Sequence, residues 1–177
     1  DLTCLILLGV SLFLVSFPLE AQDLYWEDPE FISAGDEKFP QVEVGGGQIV
    51  LMYQEIVPER EGEYRIYLSV RITKDGKNWK EFTRFAGPYR FFGNETTIFS
   101  LAVSPAGTIY VAVLASENTI DFFSSHNGGE TFQKAFTKIT QKTTLAPRLF
   151  AKADGGLLLF VTQEQGDVSR RRIDLCQ

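Results

Sequence analysis

From residue 41 onward, apolar and polar positions alternate or cluster in runs of strand length. No stretch carries the 3.6-residue periodicity of an amphipathic helix. The first set of runs is Gln41–Val44, Gln48–Gln54, Tyr64–Ile72 and Lys80–Phe85. The second is Ile98–Ser104, Thr108–Leu114, Thr119–Ser124 and Gln133–Ile139, and a third begins with Arg148–Ala153, Gly156–Thr162 and Val168–Leu175. Glycine-rich turns at Gly45-Gly46-Gly47, Pro105-Ala106-Gly107 and Asp154-Gly155-Gly156 occupy the same place in each set, between the first and second strands. The pattern predicts an all-β chain built on a repeated antiparallel unit of four strands. Its order is strand, Gly turn, apolar strand, variable loop, strand, tight turn, strand.

The tight turn closing each unit has its own signature. Thr73-Lys-Asp-Gly-Lys-Asn-Trp79 and Ser125-His-Asn-Gly-Gly-Glu-Thr-Phe132 each run from a hydroxyl residue through one spacer to Asp or Asn, then glycine, then a terminal aromatic. Asp75 and Asn127 can accept hydrogen bonds from backbone N–H groups ahead of them, and the hydroxyls of Thr73 and Ser125 add local bonds. Gly76, Gly128 and Gly129 supply positive φ without Cβ strain. Thr131 completes the second copy, and Trp79 and Phe132 are expected to fold back beneath their turns. A repeat of roughly 50 residues is the signature of an array rather than of an ordinary domain.

This turn resembles the Asp-box, or BNR, repeat of sialidase-like β-propellers, whose usual form is Ser-x-Asp-x-Gly-x-Thr-Trp. The resemblance implies a radial array of four-stranded blades, six in that family. The chain then holds about two and a half: blade 1 over about 38–87, blade 2 over about 96–140, and an incomplete blade 3 from about 146, within a propeller segment of 22–177. Tyr25–Ser33 is a candidate outer strand closing a ring. A half-array exposes blade faces and an open edge. The sequence is therefore expected to be a fragment of a longer chain, with self-association as the alternative if the chain truly ends at Gln177.

The likeness extends to the first blade's opening. Lys38-Phe39-Pro40 stands where sialidases carry Arg-Ile-Pro, followed by Val50–Glu55, Tyr64–Ile72 and the Thr73 turn. In the family that Arg is one of three that clamp the substrate carboxylate. Lys38 is a point charge without the planar fork. The family's acid/base Asp would fall within 55–65, where Glu61 and Glu63 are the substitutes. Arg148 is a ligand candidate by position, and the nucleophilic Tyr with its Glu partner would lie in blades beyond Gln177.

Read from the residues alone, Gly turns and box turns share one end of the array, and the longer charged loops gather at the other, where a site is expected. The loop 55–63 offers Glu55, Glu59, Glu61 and Glu63, with Arg60 among them and Arg65 just after, and 88–95 offers Arg90 among Tyr89, Phe91 and Phe92. Paired carboxylates can run glycosidic acid/base chemistry when their pKa values differ. A solvated acidic loop explains the same residues.

Composition sharpens the partner class. The net charge of −6 argues against nucleic acid, and the short run Arg170-Arg171-Arg172 does not reverse it. The two cysteines, Cys4 and Cys176, sit at opposite ends and imply no disulfide framework, and the single histidine, His126, is a spacer on a box turn. No metal or cofactor is expected. Leu5–Phe17 is an apolar run shorter than the ~20 residues of a membrane span. With Ala21 ahead of Gln22 it resembles the later part of a secretory signal peptide over 1–21, an uncleaved membrane anchor being the alternative. The chain is thus expected to be exported, to periplasm, cell surface or medium. Asn94-Glu95-Thr96 is a glycosylation acceptor only in a eukaryotic secretory pathway. The leading expectation is an exported sialidase-like propeller that binds glycan or protein without catalysis. An exo-acting sialidase whose remaining catalytic residues lie beyond Gln177, and a purely structural surface scaffold, are the alternatives.

Overall fold

The structure, a computed structural model, describes residues 37–60, 63–92, 97–139, 146–163 and 172–173. The candidate leader 1–21, Tyr25–Ser33, both cysteines, Glu61 and Asn94–Thr96 lie outside the described residues. Among the described residues every regular element is a β-strand, and no helix is long and apolar enough to cross a membrane.

Two four-stranded antiparallel sheets dominate. The first joins β1 (Glu37–Gly45), β2 (Gln48–Arg60), β3 (Glu63–Thr73) and β4 (Thr83–Phe92) in sequence order. The second joins β5 (Phe99–Val103), β6 (Ile109–Ser116), β7 (Thr119–Ser125) and β8 (Gln133–Ile139) in the same order. In the third set β9 (Arg148–Ala151) pairs with β10 (Leu157–Phe160), and β11 (Thr162–Gln163) with β12 (Arg172–Ile173).

The strand expectation needs three corrections. The stretch 55–63, read as a loop, is the far part of one long hairpin: β2 and β3 stay in register from Ile49↔Thr73 to Pro58↔Tyr64 and close at Arg60↔Glu63. Residues 88–92 of the second expected loop are likewise strand, because β4 continues through Phe92 with Arg90 opposite Arg65. At its other end β4 begins at Thr83, later than the expected Lys80. The ladder accommodates Pro58 and Pro88 with register shifts between Pro58 and Arg60 and between Ile66 and Leu68.

The two sheets differ in how they face their surroundings. In the first, Val50, Met52, Ile66, Leu68 and Val70 are buried and belong to the main core. The alternate positions include Glu55, Glu59, Arg65 and Arg84. In the second, β6 is buried on both faces, with Ile109, Val111, Ala112, Val113 and Leu114 all within the core, so it reads as a continuous apolar run, whereas the edge strand β8 is exposed from Gln133 to Thr137. Aromatic contacts tie the layers. Phe85 of β4 meets Phe123 edge-on at 5.7 Å and stacks on Phe132 at 3.9 Å. The box aromatic Phe132 thus reaches past its own turn to grip the first sheet.

Side chains also reach from sheet to sheet. The Gln41 amide on β1 donates to Phe99 O (3.0 Å) and accepts from Leu101 N (3.1 Å), mimicking a short piece of strand pairing with β5. Ile98 N donates to Gln54 Oε1 at 2.6 Å. One set further on, Leu149 N donates to Ser100 Oγ at 3.0 Å. The first strands β1, β5 and β9 consequently lie side by side.

A polar link is also buried between the sheets. The Tyr89 hydroxyl of β4 bonds to Asp121 of β7, which also accepts from Thr137 Oγ1 (2.8 Å) and pairs with Lys134 (2.7 Å). Burial first, then the Asp121 carboxylate, pushes the Tyr89 phenol well above its ordinary range. Tyr89→Phe removes one bond to a charged acceptor while keeping the ring. It should lower unfolding stability by about 1.5 kcal/mol in a urea titration.

Candidate functional site

The end of the first sheet formed by the β2–β3 hairpin gathers Glu55, Arg65 and Arg90 of the expected ligand residues, as a set of charge pairs rather than an open loop. Glu59 receives Arg65 Nε on Oε2 at 2.9 Å and Arg65 Nη2 on Oε1, a two-pronged contact. Arg90 Nη2 stands 3.7 Å from the same carboxylate. Glu55 accepts from Ser69 Oγ on one oxygen and from Arg84 on the other. The Arg84 guanidinium also lies over the Tyr67 ring, 4.4 Å from its centroid.

The register explains this gathering. Glu55 sits opposite Tyr67, and Val57 opposite Arg65, which faces Arg90 across β3 and β4. Side chains at alternate positions share a face, so these arginines and glutamates project to one side of the sheet. Their electrostatics follow. Hydrogen bonding from Arg65 holds the Glu59 carboxyl below the usual carboxylate range, and the same bond raises Arg65. Glu55 raises Arg84 in the same way. Burial, then the carboxylates of Glu37 and Glu55, pushes the neighbouring Tyr53 phenol up.

The remaining expected residues do not converge on this set. Lys38 is exposed and pairs with Gln54, so it projects from the opposite sheet face to Glu55. A register break between Lys38 and Gln41 follows it, with Phe39 at a φ of 56° and packed against the core. Arg60 is exposed at the hairpin tip, Glu63 is half-buried opposite Phe92, and Arg148 is exposed at the start of β9. Sequence reasoning missed Arg84 and Tyr67. Their signal was the alternation Thr83-Arg84-Phe85 and Ile66-Tyr67-Leu68 within apolar strands, which marks a second, polar sheet face.

This cluster has a pH signature. The folded-state pKa of Glu59 is depressed, so the pair adds stability above the ordinary value of 4.5 and loses it as pH falls through the depressed value. The melting-temperature gap between the native chain and Glu59→Gln should be full at pH 7 and shrink progressively below about pH 4.5.

At the other end of the sheets stand the turns. In the first box Thr73 Oγ1 donates to Asp75 Oδ1 (2.9 Å), which also accepts from Lys77 N (2.9 Å) and Asn78 N (2.8 Å). These bonds, led by Asn78, hold the Asp75 carboxyl far below its ordinary range. In the second box Ser125 Oγ donates to Asn127 Oδ1 (3.0 Å), which accepts from Thr131 N (3.1 Å), while Gly129 N donates to Ser125 Oγ (3.0 Å). Gly76, Gly128 and Gly129 all take positive φ, at 76°, 66° and 77°.

The functional site was expected at the other end, the turn-bearing end being read as structural. Instead a cleft of about 520 Å³ opens there. Lys74 and Asp75 of the first box stand on one wall, and His126, Asn127 and Gly128 of the second on the other. Gly46 and Gly107 meet at its margin, where Gln48 Nε2 donates to Gly107 O at 2.8 Å. Among the described residues no group of His, Cys, Asp and Glu is placed to hold a metal ion.

No protein-family model matches the chain, and a search of curated proteins returns no match.

Proposed function

We propose that the chain is part of an exported sialidase-like propeller that serves as a glycan- or protein-binding module without catalytic turnover. The observation that carries the non-catalytic reading is the state of the carboxylates at the hairpin end. A glycosidic general acid needs a carboxyl whose pKa is raised so that it holds a proton near neutrality. Glu59 is driven the other way by Arg65, and both Glu55 oxygens are occupied. The same pairing removes Arg65 and Arg84 from the job of clamping an incoming carboxylate.

The propeller reading is supported by two four-stranded sheets with equivalent turns, and by β1, β5 and β9 lying side by side as inner strands of a radial array do. Binding then falls to the cations least engaged at that end. Arg90 is the leading one, with a side chain 74% exposed and only a 3.7 Å approach to Glu59.

The test is paired. The full chain with a fluorogenic sialoside should release no fluorophore above the buffer rate. Calorimetry with sialyllactose should show binding that weakens roughly tenfold in Arg90→Ala, the effect of one charge-assisted hydrogen bond. Measurable turnover that disappears in Glu59→Gln would overturn the non-catalytic reading in favour of the exo-sialidase.

A further inference from the structure

The cleft between the two box turns lies at the opposite end of the strands from the Glu59–Arg65 cluster, and the proposed function does not use it. Four separate turns build it, two from each sheet, so its shape depends on how the sheets pack rather than on one mobile loop. The approach of those turns is close: a Cβ added at Gly46 would stand 2.2 Å from Gly107 Cα and 2.5 Å from Gly107 N. The space they enclose is therefore set by backbone.

The charge in the cleft is unbalanced. Asp75 is its only carboxylate among the lining residues, and its oxygens are taken up by Lys77 N, Asn78 N and the Asn78 amide. Lys74 stands on the exposed spacer of the first box with its ammonium available. Lys80 also lines the cleft, its ammonium 3.5 Å from Glu130 with both side chains more than half exposed. Ion pairs of that kind contribute little and exchange readily with another anion. His126 stands on the second box, its Nδ1 3.5 Å from Thr108 Oγ1. Around these sit the side-chain amides of Gln48, Asn78 and Asn127, which bond to Gly107 O, Asp75 and Thr131 and each keep a second N–H that can pair with a sugar hydroxyl. The volume suits a ligand of one or two rings and is too small for a folded partner.

We propose that this cleft is a binding site for an acidic sugar, a ring carrying a carboxylate or a sulfate ester. The anionic group lies between Lys74 and Lys80, and the hydroxyls lie against the second box turn. The site goes beyond the binding-module reading and is independent of Arg90.

The experiment is an amide NMR titration of the full chain with four probes: galacturonic acid, galactose 6-sulfate, galactose and sodium sulfate. The two acidic sugars should shift the amides of Lys74, Gly107 and Gly128 saturably, and galactose and free sulfate should each bind at least tenfold more weakly. Lys74→Glu should weaken the acidic sugars tenfold or more, and Lys74→Ala less, with the melting temperature unchanged because Lys74 is an exposed spacer. Equal binding of galactose would overturn the role of the charge, and equal binding of sulfate would overturn the role of the ring. Undiminished binding in Lys74→Glu, or no binding of either acidic sugar, would overturn the site. Shifts confined to Arg65 and Arg90 would also overturn it while leaving the binding-module reading in place.

Discussion

Gly46→Ala should lower the stability of this protein by about 3 kcal/mol, while Gly47→Ala, one residue on, should cost only about 1 kcal/mol. Both glycines have positive φ, at 58° and 69°, so both substitutions carry the left-handed strain of an L residue. Only Gly46 touches the second sheet. A Cβ there would stand 2.2 Å from Gly107 Cα and 2.5 Å from Gly107 N, whereas nothing lies within 4 Å of one on Gly47. The contact is backbone on backbone, so no side chain can swing away, and the two sheets would have to part. In a domain of this size the difference corresponds to a melting temperature roughly 4–8 °C lower for Gly46→Ala than for Gly47→Ala. Thermal melts followed by circular dichroism would show it. Equal losses at the two positions would mean that the Gly turns do not meet.

The second large effect is expected at Gln54. Its side chain is fully buried, and its Oε1 accepts the Ile98 backbone N–H at 2.6 Å, at a point where Ile98 is also fully buried. Gln54→Leu keeps the volume and leaves that N–H without its acceptor and without water, at a cost of about 2 kcal/mol. Gln41→Leu makes a useful contrast. It removes two comparable bonds to β5, but at a part-buried site where water replaces the amide, so the loss should stay below about 1 kcal/mol. Urea titrations of the two variants decide whether burial, rather than the number of bonds, sets the cost; a larger loss for Gln41→Leu would sink the argument.

What the sequence made legible was local chemistry. The Thr73 and Ser125 turns could be read because hydroxyl, Asp or Asn, and glycine fix a backbone shape with no outside help, and their hydrogen bonds run within five residues. The strand β6 was legible because both its faces are apolar, and β7 because Ile120, Phe122 and Phe123 stand out in a short run. The far half of the β2–β3 hairpin was not. Glu55, Pro58, Glu59 and Arg60 look like a charged loop until Arg65, Arg84 and Arg90 are seen to answer them across the sheet. Those pairings depend on register, which in a polar strand is weakly written. The same limit hid the separation of Lys38 from Glu55, since adjacent register positions fall on opposite faces. The cleft was out of reach altogether, because it is made where Gly46 meets Gly107, a contact between distant residues that neither turn announces.

The double burial of β6 has a practical edge for anyone dividing this chain. On the side away from Phe85, Phe122 stacks on Phe136 at 4.9 Å and lies 6.1 Å from Tyr110, while Leu149, Leu159 and Val161 from the third set are part of the same core. A piece cut between Ile139 and Arg148 would keep both complete sheets yet uncover the faces of β5 and β6 on which β9 lies, next to Phe136, which is already 49% exposed. Such a piece should precipitate or pair with itself during purification. Recombinant boundaries therefore belong on the far side of Val161.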